Sequence, residues 1–199
     1  MLYRPYQQTQ TFKIMKTNIF PAIRLTLFCA LFFSGIFTAS LLGIASFAPN
    51  GGKGEIITQD GKTYYSNIGQ TFTQDKYFNS RPSAVNYNAA GSAGSNKGPS
   101  NPTYLREVQA RINTFLVHNP SVSKADIPSD LVTASGSGLD PNISIEGAKV
   151  QVKRIAKIRN ISEEKLLQLI DNQTQKPLFG IMGTSKINVL KLNLSLEKM

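Results

Sequence analysis

Reactive chemistry needs particular side chains at workable spacings, and this chain of 199 residues has few of them. It holds one histidine, His118, and one cysteine, Cys29. A lone His cannot build a metal site. Beside Pro120, at an expected helix end, His118 reads as a charge complementing the helix terminus or as a solvated ring. Cys29 sits inside an apolar run, so the remaining chain has neither a thiol nucleophile nor a disulfide. A Ser-His-Asp triad would have to use His118, and no Gly-X-Ser-X-Gly elbow exists. Ser121-Val122-Ser123-Lys124 and Ser162-Glu163-Glu164-Lys165 both match Ser-X-X-Lys, a pattern short enough to arise by chance. The Ser-Asp-Asn and Lys-Thr-Gly elements that accompany it in acylating enzymes are missing. A Ser/Lys hydrolase built on either pair is carried as an alternative.

Two glycine-rich segments remain. Gly91-Ser92-Ala93-Gly94-Ser95-Asn96-Lys97-Gly98 looks hospitable to phosphate, but a phosphate-binding loop places glycine before its lysine and Ser/Thr after it. Here Asn96 and Gly98 flank Lys97, and a surface loop is the better reading. Thr133-Ala134-Ser135-Gly136-Ser137-Gly138-Leu139-Asp140-Pro141 sets glycines and hydroxyls ahead of a carboxylate. Glycine permits close backbone approach, and Asp140-Pro141 favours a turn. Such a segment either holds a shape against a partner or satisfies its own backbone. No Asp-Lys-Thr-Gly phosphorylation site and no Thr-Val-Gly-Tyr-Gly filter occurs. The chain is therefore expected to be no enzyme, with no metal site and no cofactor held by a recognisable motif.

The elements that position these residues start at a membrane. Leu25 to Ala48 is an uncharged apolar run of 24 residues. As a helix it would extend roughly 36 Å, enough to cross a ~30 Å hydrocarbon core. Its hydroxyls (Thr26, Ser34, Thr38, Ser40, Ser46) can bond back to their own helix. Arg4, Lys13, Lys16 and Arg24 precede it, and the first acid of the chain is Glu55. Basic residues collect on the cytoplasmic flank, so the N-terminus is expected inside and the domain outside. A cleaved signal competes, since Ser46 and Ala48 suit a cleavage site. The run exceeds the ~7–15 residues of a signal core, however, and Pro49 would follow the cleaved bond. The expected organisation is a basic segment over 1–24, a transmembrane helix over 25–48, and one compact extracytoplasmic α+β domain over 49–199.

The net charge of +10 leaves a moderately basic outer domain. Its one basic cluster, Lys149, Lys153, Arg154, Lys157 and Arg159, reads as a solvated helix face, and no nucleic-acid partner is expected. The Asn-X-Ser/Thr triplets at Asn142, Asn160, Asn172 and Asn193 are read as chance.

Ile56 to Thr73 reads as a hairpin turning at Asp60-Gly61. Phe72, Tyr77 and Phe78 are aromatic core candidates. The stretch from Ser83 to Pro102 buries little by composition and reads as a loop that needs a partner or stays mobile. Asn101 and Pro102 start a helix running to about Val117, with Leu105, Val108, Ile112, Phe115 and Leu116 on one face. Ser144 caps a helix that Asn160 closes, and Ser162 caps another with Leu166, Leu167 and Ile170 packing. Leu190, Leu192, Leu194 and Leu196 alternate with Lys191, Asn193, Ser195 and Glu197, the period of a strand.

Two segments carry a resemblance. One is Tyr77-Phe78-Asn79-Ser80-Arg81-Pro82-Ser83-Ala84, continuing through Tyr87-Asn88, Gly94-Ser95-Asn96 and Pro99-Ser100-Asn101-Pro102. The other runs from Thr133 through Ser135, Gly136, Ser137, Gly138, Asp140 and Pro141 to Ser144, followed by Gln151-Val152 and Arg154-Ile155-Ala156. With Asn188-Val189-Leu190-Lys191-Leu192-Asn193, these resemble the C-subunit (KdpC) family of the bacterial Kdp-type potassium-transporting ATPase, from about Met15 to Leu196. Asn142 departs from the family's usual His, and residues 1–14 lie upstream of the usual start.

The resemblance implies an accessory subunit of a high-affinity potassium uptake complex in the plasma membrane, needed for assembly and activity. Its implied partners are a channel-like potassium-binding subunit, a P-type ATP-hydrolysing subunit and a small single-span subunit. ATP and magnesium would belong to the P-type subunit, and potassium would be the transported ion. The family is described as a catalytic chaperone that raises the ATP affinity of the hydrolysing subunit. Candidate partner-facing or structural loop residues are Tyr77, Phe78, Arg81, Pro82, Ser83, Asn96, Ser135, Gly136, Ser137, Gly138, Asp140 and Pro141. A generic anchored binding module is the further alternative.

Overall fold

A computed structural model describes residues 6–199. The first five residues of the basic N-terminal segment, Arg4 among them, lie outside the described residues. The chain divides into two units, 1–54 and 55–199.

The first unit is helical. Helix α1 (Tyr6–Ala30) continues through a π-helical segment, Leu31–Phe37, into α2 (Thr38–Ala45). Thr17–Ala45, 29 residues, is long and apolar enough to cross a membrane. Thr38 Oγ1 donates to the Phe33 carbonyl at 2.9 Å and Ser40 Oγ to Ile36 at 2.8 Å, so these hydroxyls do bond back to their own helix. The helix begins well before Leu25 and stops at Ala45. A 3₁₀ turn, Pro49–Gly52, follows.

The second unit is α+β. Strands β1 (Ile56–Gln59) and β2 (Lys62–Tyr65) form the expected hairpin, turning at Asp60-Gly61 with both residues at positive φ. Helix α3 (Pro102–His118) is capped by Asn101, whose side chain accepts from the Thr103 and Tyr104 N–H groups. Strand β3 (Asn142–Ile143) leads into α4 (Ile145–Lys149), capped by Ser144. Helix α5 (Val152–Arg159) ends on Asn160 in the left-handed conformation, and α6 (Glu163–Gln173) is capped by Ser162. The single helix expected between Ser144 and Asn160 is thus two, divided at Val150-Gln151. Strands β4 (Thr174–Gln175) and β5 (Lys186–Asn188) complete a three-stranded antiparallel sheet in the order β3-β5-β4.

The final segment corrects the period-two reading. Residues Val189–Leu196 form helix α7, capped by Asn188, and no strand runs through Leu190–Leu196. The buried set is Val189, Leu190, Leu192, Asn193 and Leu196. These lie at i, i+1, i+3, i+4 and i+7, one helical face. Alternating leucines satisfy both periods at this length. Asn193, expected on a solvent face, decides between them: it is 2% exposed and belongs to the buried side.

The core gathers Phe78, Ile143, Val152, Ile155, Leu166, Ile170, Ile187, Leu192 and Leu196. Helix α3 buries none of its residues fully, and Leu105 is exposed. Leu167 also faces outward, while its neighbours Leu166 and Ile170 are buried.

Candidate functional site

The two segments that carried the resemblance are brought together. Arg81 Nη1 and Asp140 Oδ2 pair at 2.9 Å, with roughly a quarter of each side chain exposed (22% and 29%). The other carboxylate oxygen of Asp140 accepts from the Asn142 backbone N–H at 3.0 Å and from Asn142 Nδ2 at 3.1 Å. Asp140 is therefore engaged both by a distant arginine and by its own turn.

Ser83 joins the loops a second time. Its hydroxyl donates to the Gly138 carbonyl at 2.6 Å and accepts from the Val85 and Tyr87 N–H groups. Tyr87 OH donates to the Arg81 carbonyl at 2.6 Å, and burial holds its phenol above the ordinary pKa. The Ser135 N–H donates to the Pro82 carbonyl and Ser92 Oγ to the Ser137 carbonyl. Gly138 has φ +69°, and a Cβ there would lie 2.5 Å from Val85 Cγ2. A Cβ on Gly94 would lie 2.8 Å from the Gly136 carbonyl oxygen. These glycines are where backbone meets backbone. The stretch after Ser83, which buries little by itself, is ordered by the second loop. Arg81 and Asp140 also edge an open cavity of about 870 Å³ whose lining includes Asp130, Glu146 and Lys186.

Other candidates fall elsewhere. Phe78 is a core residue with no exposed surface. Tyr77 packs against Phe72 with the rings tilted by 55° and lies beneath the Arg159 guanidinium. Asn96 is exposed, with φ +53°. Pro141 accepts from the Val189 N–H through its carbonyl. Ser162 Oγ is engaged as a helix cap, and Lys124 Nζ donates to Gln109 Oε1. Lys97 of the Gly91–Gly98 loop is engaged by Glu107. Among the described residues, no group of three or more His, Cys, Asp or Glu could hold a metal ion.

Sequence reasoning missed a buried polar hub. The Arg154 side chain is 4% exposed. Its Nε donates to Asn119 Oδ1 at 2.9 Å, and Nη2 donates to Asn79 Oδ1 at 2.9 Å and Gln151 Oε1 at 2.8 Å. Nη1 donates to the Asp75 carbonyl. Desolvation pulls the Arg154 pKa down, and the Asp75 carboxylate opposes that shift. Asp75 also pairs with His118 Nδ1 at 2.9 Å, so the lone histidine has a carboxylate partner. Gln151 and Arg154 stand three apart on an otherwise apolar helical face. That spacing was the available signal, but it read as part of a solvated basic cluster.

A helix long and apolar enough to span a membrane and a small α+β domain with its loops laced together are the features of a single-span membrane subunit. Comparison with known proteins makes this specific. The model of the KdpC family, described as K+-transporting ATPase, c chain, matches residues 19–198. A potassium-transporting ATPase KdpC subunit of Flavobacterium psychrophilum is 54% identical over 183 residues, covering 92% of this chain and 98% of the relative. One from Bacteroides thetaiotaomicron is 51% identical over 188 residues, covering 92% and 99%. One from Caldanaerobacter subterraneus is 43% identical over 184 residues, covering 92% and 95%. The chain belongs to the KdpC family, an accessory subunit of the potassium-transporting ATPase.

Proposed function

We propose that the domain works from the outer face of the membrane, as a non-catalytic part that docks on the channel-like potassium-binding subunit and shapes its entrance. The observation that carries this reading is the lacing of the 81–94 and 133–142 loops through Arg81–Asp140 and Ser83–Gly138. A pair of loops fixed to each other at a partly exposed ion pair is a preorganised docking surface, which binds without the entropy cost of ordering. The basic flank before the span and the acid-free first 54 residues support an inside N-terminus.

ATP and magnesium belong, in this reading, to the P-type subunit. An outer domain cannot touch a cytoplasmic nucleotide. Any rise in ATP affinity is then allosteric, through different affinities of this subunit for different pump states.

The test begins with the tagged chain purified in mild detergent. Channel-like and P-type subunits with potassium-stimulated ATP hydrolysis are expected with it. In that complex, Asp140→Asn should raise the potassium concentration for half-maximal hydrolysis, because the loop loses its charge-assisted clamp. An unchanged value in an intact complex would overturn the entrance-shaping role.

A further inference from the structure

The segment joining β4 to β5 is a turn that holds apolar side chains away from the domain. The Leu178 N–H donates to the Met182 carbonyl and the Met182 N–H returns to the Leu178 carbonyl, both at 3.0 Å. The Gly180 N–H donates to the Pro177 carbonyl at 3.0 Å. Phe179, Gly180 and Gly183 take positive φ values of 54°, 77° and 93°. Within this closed turn Leu178 is 62% exposed, Phe179 84%, Ile181 84% and Met182 60%. No other five-residue stretch of the domain exposes four large apolar residues. Four large apolar side chains within five residues are exposed on one tip, and clustered exposed apolar surface marks an interaction site.

The charge around the tip identifies what covers it. Exposed Lys176 and Lys186 stand at its two feet, where the stem register pairs Gln175 with Lys186. Between Asp171 and Glu197 the chain has three lysines and no carboxylate. Lys191 is paired with Glu55, and Lys186 shares a cavity lining with Asp126, Asp130, Asp140 and Glu146, so Lys176 is the cation of the tip that stands outside these acidic surroundings. An apolar tip with an exposed lysine on each foot matches the gradient from acyl chains to anionic headgroups. The domain is also tethered: residues 46–54 connect it to the candidate span and reach at most about 30 Å when extended. We infer that the Leu178–Met182 turn is a second membrane contact, which dips into the interfacial region of an anionic phospholipid bilayer while Lys176 and Lys186 meet the headgroups. This inference does not rest on the proposed contact with the potassium-binding subunit.

The test uses the full chain reconstituted alone in vesicles, with Cys29→Ala and a single labelling site, Ile181→Cys, carrying an environment-sensitive fluorophore. Glu164→Cys, exposed on α6, is the control site. In phosphatidylglycerol-containing vesicles the label at 181 should shift to the blue. It should be quenched about twofold by lipids spin-labelled ~5–10 Å below the headgroups, while the label at 164 stays water-like. Lys176→Gln with Lys186→Gln should weaken that quenching, as should pure phosphatidylcholine. Water-like, unquenched emission at 181 would overturn the inference. So would an apolar shift seen only when the other subunits are present, or only at high chain density. Those results would assign the tip to a protein partner or a second copy.

Discussion

Asn193 allows the sharpest energetic prediction. Its Oδ1 accepts from the Phe78 N–H at 2.9 Å and its Nδ2 donates to the Phe78 carbonyl at 2.9 Å, 115 residues away in sequence. Phe78 and Asn193 are 0% and 2% exposed, so water cannot replace either bond. Asn193→Leu keeps the approximate volume and removes both bonds. Two buried backbone groups are then left unpaired, at about 1–3 kcal/mol each, for a loss of about 2–6 kcal/mol. That is a large share of the ~5–15 kcal/mol that stabilises a typical domain. Urea unfolding of the full chain in detergent, followed by tyrosine fluorescence, measures it; the chain has seven tyrosines and no tryptophan. Asn172→Leu, on an exposed asparagine of α6, should stay within about 0.5 kcal/mol. A cost for Asn193→Leu below about 1 kcal/mol with an unchanged denaturant slope would refute the two-bond account.

Gly138→Ala should destabilise by about 1–3 kcal/mol through the clash with Val85 and speed proteolysis between residues 83 and 101; a wild-type cleavage rate would count against the lacing of the loops. Ser144→Ala removes the cap bond to the Gly147 N–H and the bond to Asp130 Oδ1. It should cost about 1 kcal/mol, and combining it with Asp130→Ala should be less than additive. The Arg159 guanidinium, helped by Tyr77, holds the Glu197 carboxyl below its ordinary 4.5. That contribution is full above pH 4.5 and fades as pH falls through the depressed folded value. Arg159→Met should therefore flatten the acid limb of stability against pH, while parallel curves for the two proteins would contradict it.

Much of the local structure was legible because its determinants are near neighbours. Asn101, Ser144 and Ser162 cap the helices expected of them, Asn160 ends α5 in the left-handed conformation, and Asp60-Gly61 turns the first hairpin. Each is settled within about four residues by a side chain that replaces a missing backbone partner. The site was legible only in part. Arg81, Ser83, Gly138 and Asp140 were singled out and meet in the fold, and Phe78, read both as a core and as a loop candidate, lies in the core, but the Arg154 hub was read as solvated surface.

The sequence by itself determined an apolar segment of spanning length, the caps and turns, the thin catalytic inventory and the family. Tertiary structure decided everything that needs a distant partner. Leu190 to Leu196 fit a strand and a helix alike, and the bonds from Asn193 to the Phe78 backbone join the Asn188 cap in favouring the helix. Ser83 to Pro102 has little apolar surface, so its order comes from the backbone and side-chain bonds it makes to 135–138. Arg154 is buried because Asn79, Asn119 and Gln151 converge on it, and a buried charge is tolerated only where such acceptors surround it. Periodicity and capping act over a few residues, whereas these choices were made across 35 to 115.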